Sequence, residues 1–502
     1  MTKVLVIGLD GGTWNIIKPL VEKGKLPIIA NLIKSGCYGN LESTIPPSTF
    51  TGWKGYSTGK NPGKFGVFSS MNVDMKKQKL VVNNSTSYKS KEIWDYLSKE
   101  GISCGVLNMP TTYPPKKIPN GFMVSHFFIN VPNYTYPKYL ENELLNKFDY
   151  KLAPDYLYMI DKDLTIQDCR NIIIQRFDVA KYLLDRFNPA FFHMSIFLID
   201  HIQHYYWKYM KENSSQYSKV IEDFWILIDN GIKSVLNEFC DKETYVILMS
   251  DHGFTEATAE FNLARWLIKK RLFSTKMTFL QNIYLKITSY LDPISIARKM
   301  GFYSLLKRFI PYELQRRIYV SLPLENRMPR IDTMIDWERS KVIPIADGLY
   351  INRKKIPKEE YEGFRNKLIS EMESIADPRN GKKLFNKVFR GEEIFKGEYV
   401  DRAPDIVGLT NAGYVWQANL GTDEWNFTPQ WSGTHALNGI FCISGPNVKR
   451  NFKIQNIKIF DLAPTILHIF GLPVPKDMDG RVLIEVFKLG REVDKIQRKR
   501  NH

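Results

Sequence analysis

Lys3-Val4-Leu5-Val6-Ile7-Gly8-Leu9-Asp10-Gly11-Gly12 is the stretch that decides the fold. A short run of aliphatic residues closed by an acid and two glycines reads as a buried strand ending in a turn. The same texture recurs at Ser103–Asn108, Phe191–Ile199 and Thr244–Ser250. Helix-like periodicity fills the spaces between, at Lys91–Glu100 and Ile166–Phe187. Strand–helix alternation predicts an α/β fold: a doubly wound, mostly parallel sheet between helices. Three of these strands run into Asp10, Asp200 and Asp251. In open α/β sheets, sites form at the carboxyl ends of strands, so these acids mark the expected site.

The 502 residues exceed one simple core. We expect a main domain from 1–260 and 431–502, with an inserted lid at 261–430. Within the lid, 273–330 reads as basic and helical, and 331–410 as a small α/β unit. Lys341–Ile351 suggests a strand pair around Asp347-Gly348, and Lys358–Ile375 a helix. Gly439–Ser444 reads as a strand, and Asp461–Phe470 as a helix capped by Asp461.

The hydrophobic content of 44% and charged content of 25% are those of an ordinary globular chain. The five cysteines are odd in number and widely spaced, which excludes a disulfide framework or zinc-finger spacing. No apolar run is long enough to span a bilayer, and no signal-peptide pattern precedes Lys3. The expected compartment is cytoplasmic. The net charge is +17, and Phe261 to Arg330 carries 14 Lys and Arg against 3 Asp and Glu. That stretch suits an anionic substrate or peripheral contact of 273–330 with a membrane, or else is a solvated helical face.

The chemistry-bearing residues are spread along the chain. Asp200 and His204 are four apart, a spacing that brings an oxygen and an imidazole to one side of a helix. His201, between them, should point elsewhere. Asp251-His252-Gly253 follows an apolar strand, and a tight turn at Gly253 lets both side chains reach one ion. Asp10 has the same setting. His435 lies in a small-residue loop ahead of Gly439–Ser444. Thr49, after Pro46-Pro47-Ser48, precedes a helix-like run and is either an N-cap or a nucleophile. The segment alone favours the cap. The other histidines, His126, His193, His468 and His502, have no ligand-like context. Together three Asp, three His and one Thr can hold two divalent ions and carry a nucleophile, which points to metal-assisted phosphate-ester hydrolysis.

The combination resembles the alkaline phosphatase superfamily, in its type I phosphodiesterase/nucleotide pyrophosphatase branch. The resemblance runs through Val4–Trp14, Pro46–Gly66, Asp200–His204, Ser250–Phe254, Ala403-Pro404-Asp405, Gly433–His435, Asp461–Leu467 and Asp479-Gly480-Arg481. It implies that Asp10, Thr49, Asp251 and His252 hold one metal, with Thr49 as nucleophile. It implies that Asp200, His204 and His435 hold the other. It also implies the superfamily fold, with a lid inserted before His435. Two positions depart from the nucleotide pyrophosphatases: Gly52 replaces an Asn three residues after the nucleophile, and Phe65 replaces a His before Gly66.

The expected function is a two-metal phosphodiesterase working through phospho-threonine. Zn2+ is the first expectation for both ions, with Mn2+ or Fe as alternatives. The expected substrate is an anionic phosphate ester: a nucleotide, a sugar phosphate or a lipid headgroup. No stable nucleic-acid partner is expected. The alternatives are a phosphomonoesterase or phosphotransferase on the same site and, outside enzymes, a basic protein binding nucleic acid or anionic lipid.

Overall fold

Strand β1, Lys3–Leu9, forms where the sequence places it, and all but its first residue are buried. The computed structural model describes residues 2–155, 161–212, 215–276, 334–346, 348–418 and 423–488. Along the chain follow β2 (Cys37–Glu42), α1 (Thr49–Thr58), β3 (Cys104–Leu107), β4 (Phe122–Val124) and α2 (Lys162–Phe187). Next come β5 (Phe191–Ile196), α3 (Leu198–Tyr206), α4 (Val220–Phe239), β6 (Thr244–Met249) and β7 (Gly253–Asn262). The last are β8 (Gly433–Ala436), β9 (Asn438–Ser444) and α5 (Leu462–Ile469).

The central ten-stranded sheet runs Phe452–Lys453, β2, β9, β6, β1, β5, β3, β4, Thr135–Tyr136, with Ile457–Lys458 beside β2. Strand β1 is parallel to both neighbours, with Leu9 opposite Ile196 of β5 and Gly8 opposite Met249 of β6. Strand β9 runs antiparallel between β6 and β2. Successive side chains of β1 enter opposite cores, as period-two geometry requires. Leu5, Ile7 and Leu9 join Phe177 of α2 and Ile228 and Ile232 of α4. Val4 and Val6 join Trp53 and Tyr56 of α1 and Ile466 of α5. The sheet is thus covered on both faces, which is why its strands read as continuous apolar runs.

Helix α2 starts four residues before the expected Ile166. The Asp161 side chain accepts from the Asp163 and Leu164 N–H groups, at 3.0 and 3.1 Å, and so caps the earlier turn. The expected strand Phe191–Ile199 stops at Ile196, and α3 begins at Leu198. Asp200 therefore sits in the first turn of a helix, not at a strand end. Apolar periodicity could not separate the two, because Phe197, Leu198 and Ile199 extend the run without a break.

A second core lies around the antiparallel sheet of Val342–Ile345, Gly348–Ile351, Ile406–Thr410 and Phe385–Arg390. Helix Tyr361–Glu373 packs there through Leu368 and Met372. Strand β7 joins the two regions: its start pairs with β8, and its end pairs with Gly413–Gln417. From residue 277 onward the expected basic helical stretch 273–330 lies outside the described residues. So do Asp347 and the tail Arg491 to His502. All five cysteines are free thiols. Among the described residues no helix is long and apolar enough to cross a membrane.

Candidate metal centre

Parallel register puts the carboxyl ends of β1, β5 and β6 at one edge of the sheet. Asp10 follows β1, and Ser250-Asp251-His252 follows β6. Helix α3 brings Asp200 and His204 to the same edge on one face, as i,i+4 spacing requires. His435 comes from β8, opposite Phe254 of β7, and so reaches the centre from a strand rather than the expected loop. Thr49 is the first residue of α1. The N-cap position belongs to Ser48, whose side chain makes no capping bond. The Thr49 hydroxyl instead lies 3.3 Å from His252 Nε2. The cap reading of Thr49 is thereby overturned.

All seven residues meet. His252 Nε2 is 3.2 Å from Asp251 Oδ2 and 3.6 Å from Asp10 Oδ1. Asp200 lies 3.4 Å from both His204 Nε2 and His435 Nε2. The two imidazole Nε2 atoms are 3.2 Å apart, and the His252 and His435 rings stack at 3.7 Å. Two groups of ligand atoms result: Asp10, Asp251 and His252, and Asp200, His252 and His435, each within 4.8 Å. His204 adjoins the second group, and His252 stands between the two. His435 is the most open of the seven, with 26% of its side chain exposed.

Each imidazole is aimed by its other nitrogen. Nδ1 of His204, His252 and His435 donates to the carbonyl of Gly433, Gly253 and Pro47, at 2.8, 3.1 and 3.2 Å. A proton held on Nδ1 leaves the Nε2 lone pair facing the centre, the state a metal ligand needs. The carboxylates match. Asp10 Oδ2 accepts from Trp53 Nε1 at 2.8 Å, and Asp251 Oδ1 from the Gly11 N–H at 3.2 Å. Their second oxygens, with Asp200 Oδ1, are buried and have no hydrogen-bond donor among the described residues.

Three buried carboxylates facing one another need positive charge. Burial, then Asp251 and Asp200, push the Asp10 carboxyl well above its ordinary range. Burial, then the Asp200 charge, lift Asp251 to about 7. For Asp200, burial is outweighed by His204 and His435, which hold it well below the usual range. Burial, then His435, keep His252 from protonating. Bare oxygens, aligned lone pairs and a mixed O/N donor set fit divalent cations.

His201 stays outside the centre, with its ring 4.9 Å from that of Tyr205. His193 is a buried core histidine, bonded to Tyr56 and Ser195. Two contributors were not foreseen in the sequence. Trp53, one helical turn after Thr49, fixes Asp10, and that i,i+4 spacing was the available signal. Gly52 lies against Asp251: a Cβ there would stand 2.8 Å from the Asp251 carbonyl oxygen.

Comparison with known proteins agrees with this geometry. Residues 4–437 match the family described as type I phosphodiesterase / nucleotide pyrophosphatase. A 99-residue stretch is 31% identical to a 2,3-bisphosphoglycerate-independent phosphoglycerate mutase of Cereibacter sphaeroides, and spans 19% of that relative's length. The fold is similar to murine ectonucleotide pyrophosphatase / phosphodiesterase 5, solved as an inactive threonine-to-alanine variant in complex with AMP. The TM-score is 0.56 at 14% identity, over 97% of this chain and 100% of that one. A mutant of the alkaline phosphatase PafA gives a TM-score of 0.56 at 13% identity, over 97% and 98% of the two chains. The matched family and the convergence of Asp10, Asp200, Asp251 and three histidines on one sheet edge lead to one assignment: the chain belongs to the type I phosphodiesterase / nucleotide pyrophosphatase family.

Proposed function

We propose that this protein cleaves phosphodiesters with two divalent cations and a phospho-Thr49 intermediate. One observation carries the reading. Three carboxylate oxygens with no donor among the described residues cluster with the Nε2 atoms of three oriented histidines, and one of these, His252 Nε2, stands 3.3 Å from a hydroxyl at a helix N-terminus. Asp10, Thr49, Asp251 and His252 would hold one ion, and Asp200, His204 and His435 the other. Bound there, the cations supply Lewis-acid charge that acidifies a hydroxyl, neutralises phosphate oxygens and steadies a departing alkoxide. Zn2+ suits the donor set best, and Mn2+ or Fe are the alternatives.

The protein's own groups do the rest. Thr49 Oγ1 bonds to phosphorus as the leaving alcohol departs; water then cleaves the phospho-Thr49 ester and restores the hydroxyl. The first N–H groups of α1 have no intrahelical acceptor, so they favour a phosphate beside Thr49. The histidine Nε2 atoms being taken as ligands, Thr49 needs no separate imidazole base.

The substrate class is an anionic phosphate ester: a nucleotide, sugar phosphate or lipid headgroup. The AMP complex of the murine relative favours the nucleotide. The stretch shared with a phosphoglycerate mutase favours a second reading, phosphomonoester or phosphoryl-transfer chemistry on the same residues. The segment 261–430, as a lid, would set the choice.

Metal-loaded protein should contain close to two divalent ions per chain by elemental analysis. Thr49→Ala should lower turnover of a chromogenic diester by at least ~10²-fold with the melting temperature unchanged, and Thr49→Ser should keep part of it. Near-normal turnover in Thr49→Ala would remove the nucleophile from this scheme. A matched panel of mono- and diesters separates the two readings.

A further inference from the structure

A small cavity lies between the carboxyl end of β5 and the start of α3. Its walls include Asn108, His126, Arg176, Ser195, Phe197 and Leu198. It offers about 10 Å³ to the centre of a water-sized particle, room for one small species.

The walls present donors and positive charge. Arg176, on α2, is 5% exposed. Among the described residues its partners are the Lys151 and Leu152 carbonyls, Gln175 Oε1 and the face and hydroxyl of Tyr150. None of these is a carboxylate, and a buried guanidinium is costly without a counter-charge. The Asn108 carbonyl oxygen accepts the Tyr150 hydroxyl, while its Nδ2 has no acceptor among the described residues. Asn108 is 1% exposed. His126 is 3% exposed, and its Nε2 also lacks a partner among the described residues. Burial, then Arg176, push the His126 imidazolium down to about 3, so the ring is neutral and free to carry its proton on Nε2. Phe197 and Leu198 are the N-cap and first residue of the nine-residue helix α3, which has no side-chain cap. Its positive end faces the same space.

We propose that this cavity binds a monatomic anion, chloride under ordinary conditions, held by Arg176, Asn108 Nδ2, His126 Nε2 and the α3 N-terminus. A neutral water would satisfy the unpartnered atoms but leave the Arg176 charge unanswered. The anion would also brace the helix that carries Asp200 and His204. The inference does not depend on which ester the centre cleaves.

The test uses the wild-type, metal-loaded protein, exchanged from chloride into methanesulfonate, an anion too large for the space. Crystals soaked in bromide should show an anomalous peak within the cavity. At constant ionic strength, added chloride or bromide should raise the melting temperature saturably, by about 1–2 °C at ten times the dissociation constant. Arg176→Met should abolish that rise; if it does not fold, His126→Phe, which fills the space, should do so. Water-like density without anomalous signal, or a halide effect that survives in both variants, would overturn the site.

Discussion

Gly52→Ala tests whether helix α1 is seated directly on the metal-binding turn. The added Cβ would lie 2.8 Å from the Asp251 carbonyl oxygen and 3.1 Å from Asp251 Cβ. Ordinary contact is reached only near 3.5 Å, so helix and turn must separate by about 0.4–0.7 Å. Neither partner is a flexible side-chain end; one is a helix backbone, and the other is the turn that carries two candidate ligands. Overpacking of this kind costs ~1–3 kcal/mol. The displacement falls between Thr49 and Asp251, which in the proposed scheme act on the same phosphate. Since a misplacement of about 1 Å can cost ~10²-fold, we expect kcat to fall by about ten- to a hundredfold. Gly52→Asn, the residue of the nucleotide pyrophosphatases at this position, should do worse in this backbone. The assays are diester turnover under saturating metal, metal content by elemental analysis and the melting temperature. Wild-type kcat and stability in both variants would refute the seating of α1 on Asp251.

Trp53→Phe removes the N–H that holds Asp10 Oδ2; metal affinity, read by chelator competition, should weaken about 10–100-fold while the fold is kept. Unchanged affinity would make Trp53 packing only. Beneath α1, Glu92 binds Lys54 Nζ at 2.6 Å, the Ser57 hydroxyl at 3.1 Å and Lys116 Nζ at 2.6 Å. Burial alone would raise the Glu92 pKa, but Lys116 and Lys54 outweigh it and bring the carboxyl down to about 2. A depressed carboxyl stabilises the fold above its unfolded pKa of 4.5 and loses that contribution as pH falls through about 2, an effect of ~3 kcal/mol. Acid unfolding of Glu92→Gln should lack this component, and at neutral pH the variant should be less stable by ~3–5 kcal/mol, because Lys54 stays buried without its counter-charge. Denaturant melts at pH 7 and pH 3 measure both, and equal curves for wild type and variant would exclude the network.

Most of the frame was legible because it is written locally. Lys3–Leu9 could only be a strand covered on both faces, and the strands Cys104–Leu107 and Thr244–Met249 of the same sheet read the same way. The hairpin around residue 347 and the helix Tyr361–Glu373 were legible from turn residues and from apolar period. The misplaced end of Phe191–Ile196 shows the limit. An apolar run carries no mark of where extended chain gives way to helix when both are buried.

The sequence by itself named the residues that meet at one sheet edge, Asp10, Asp200, His204, Asp251, His252 and His435 with Thr49, and with them the class of chemistry. Tertiary structure alone decided what each donor does. Thr49 has the composition of a cap, and only its approach to His252, 203 positions away, makes it part of the centre. The histidines turn Nε2 toward the centre because Gly433, Gly253 and Pro47 hold their Nδ1 protons. Gly52 looks like a lost side chain until Asp251 is found against it. Residue type fixes which bonds an atom can make; the distance to a partner far away in the chain is set only when parallel register and helix packing bring the segments together.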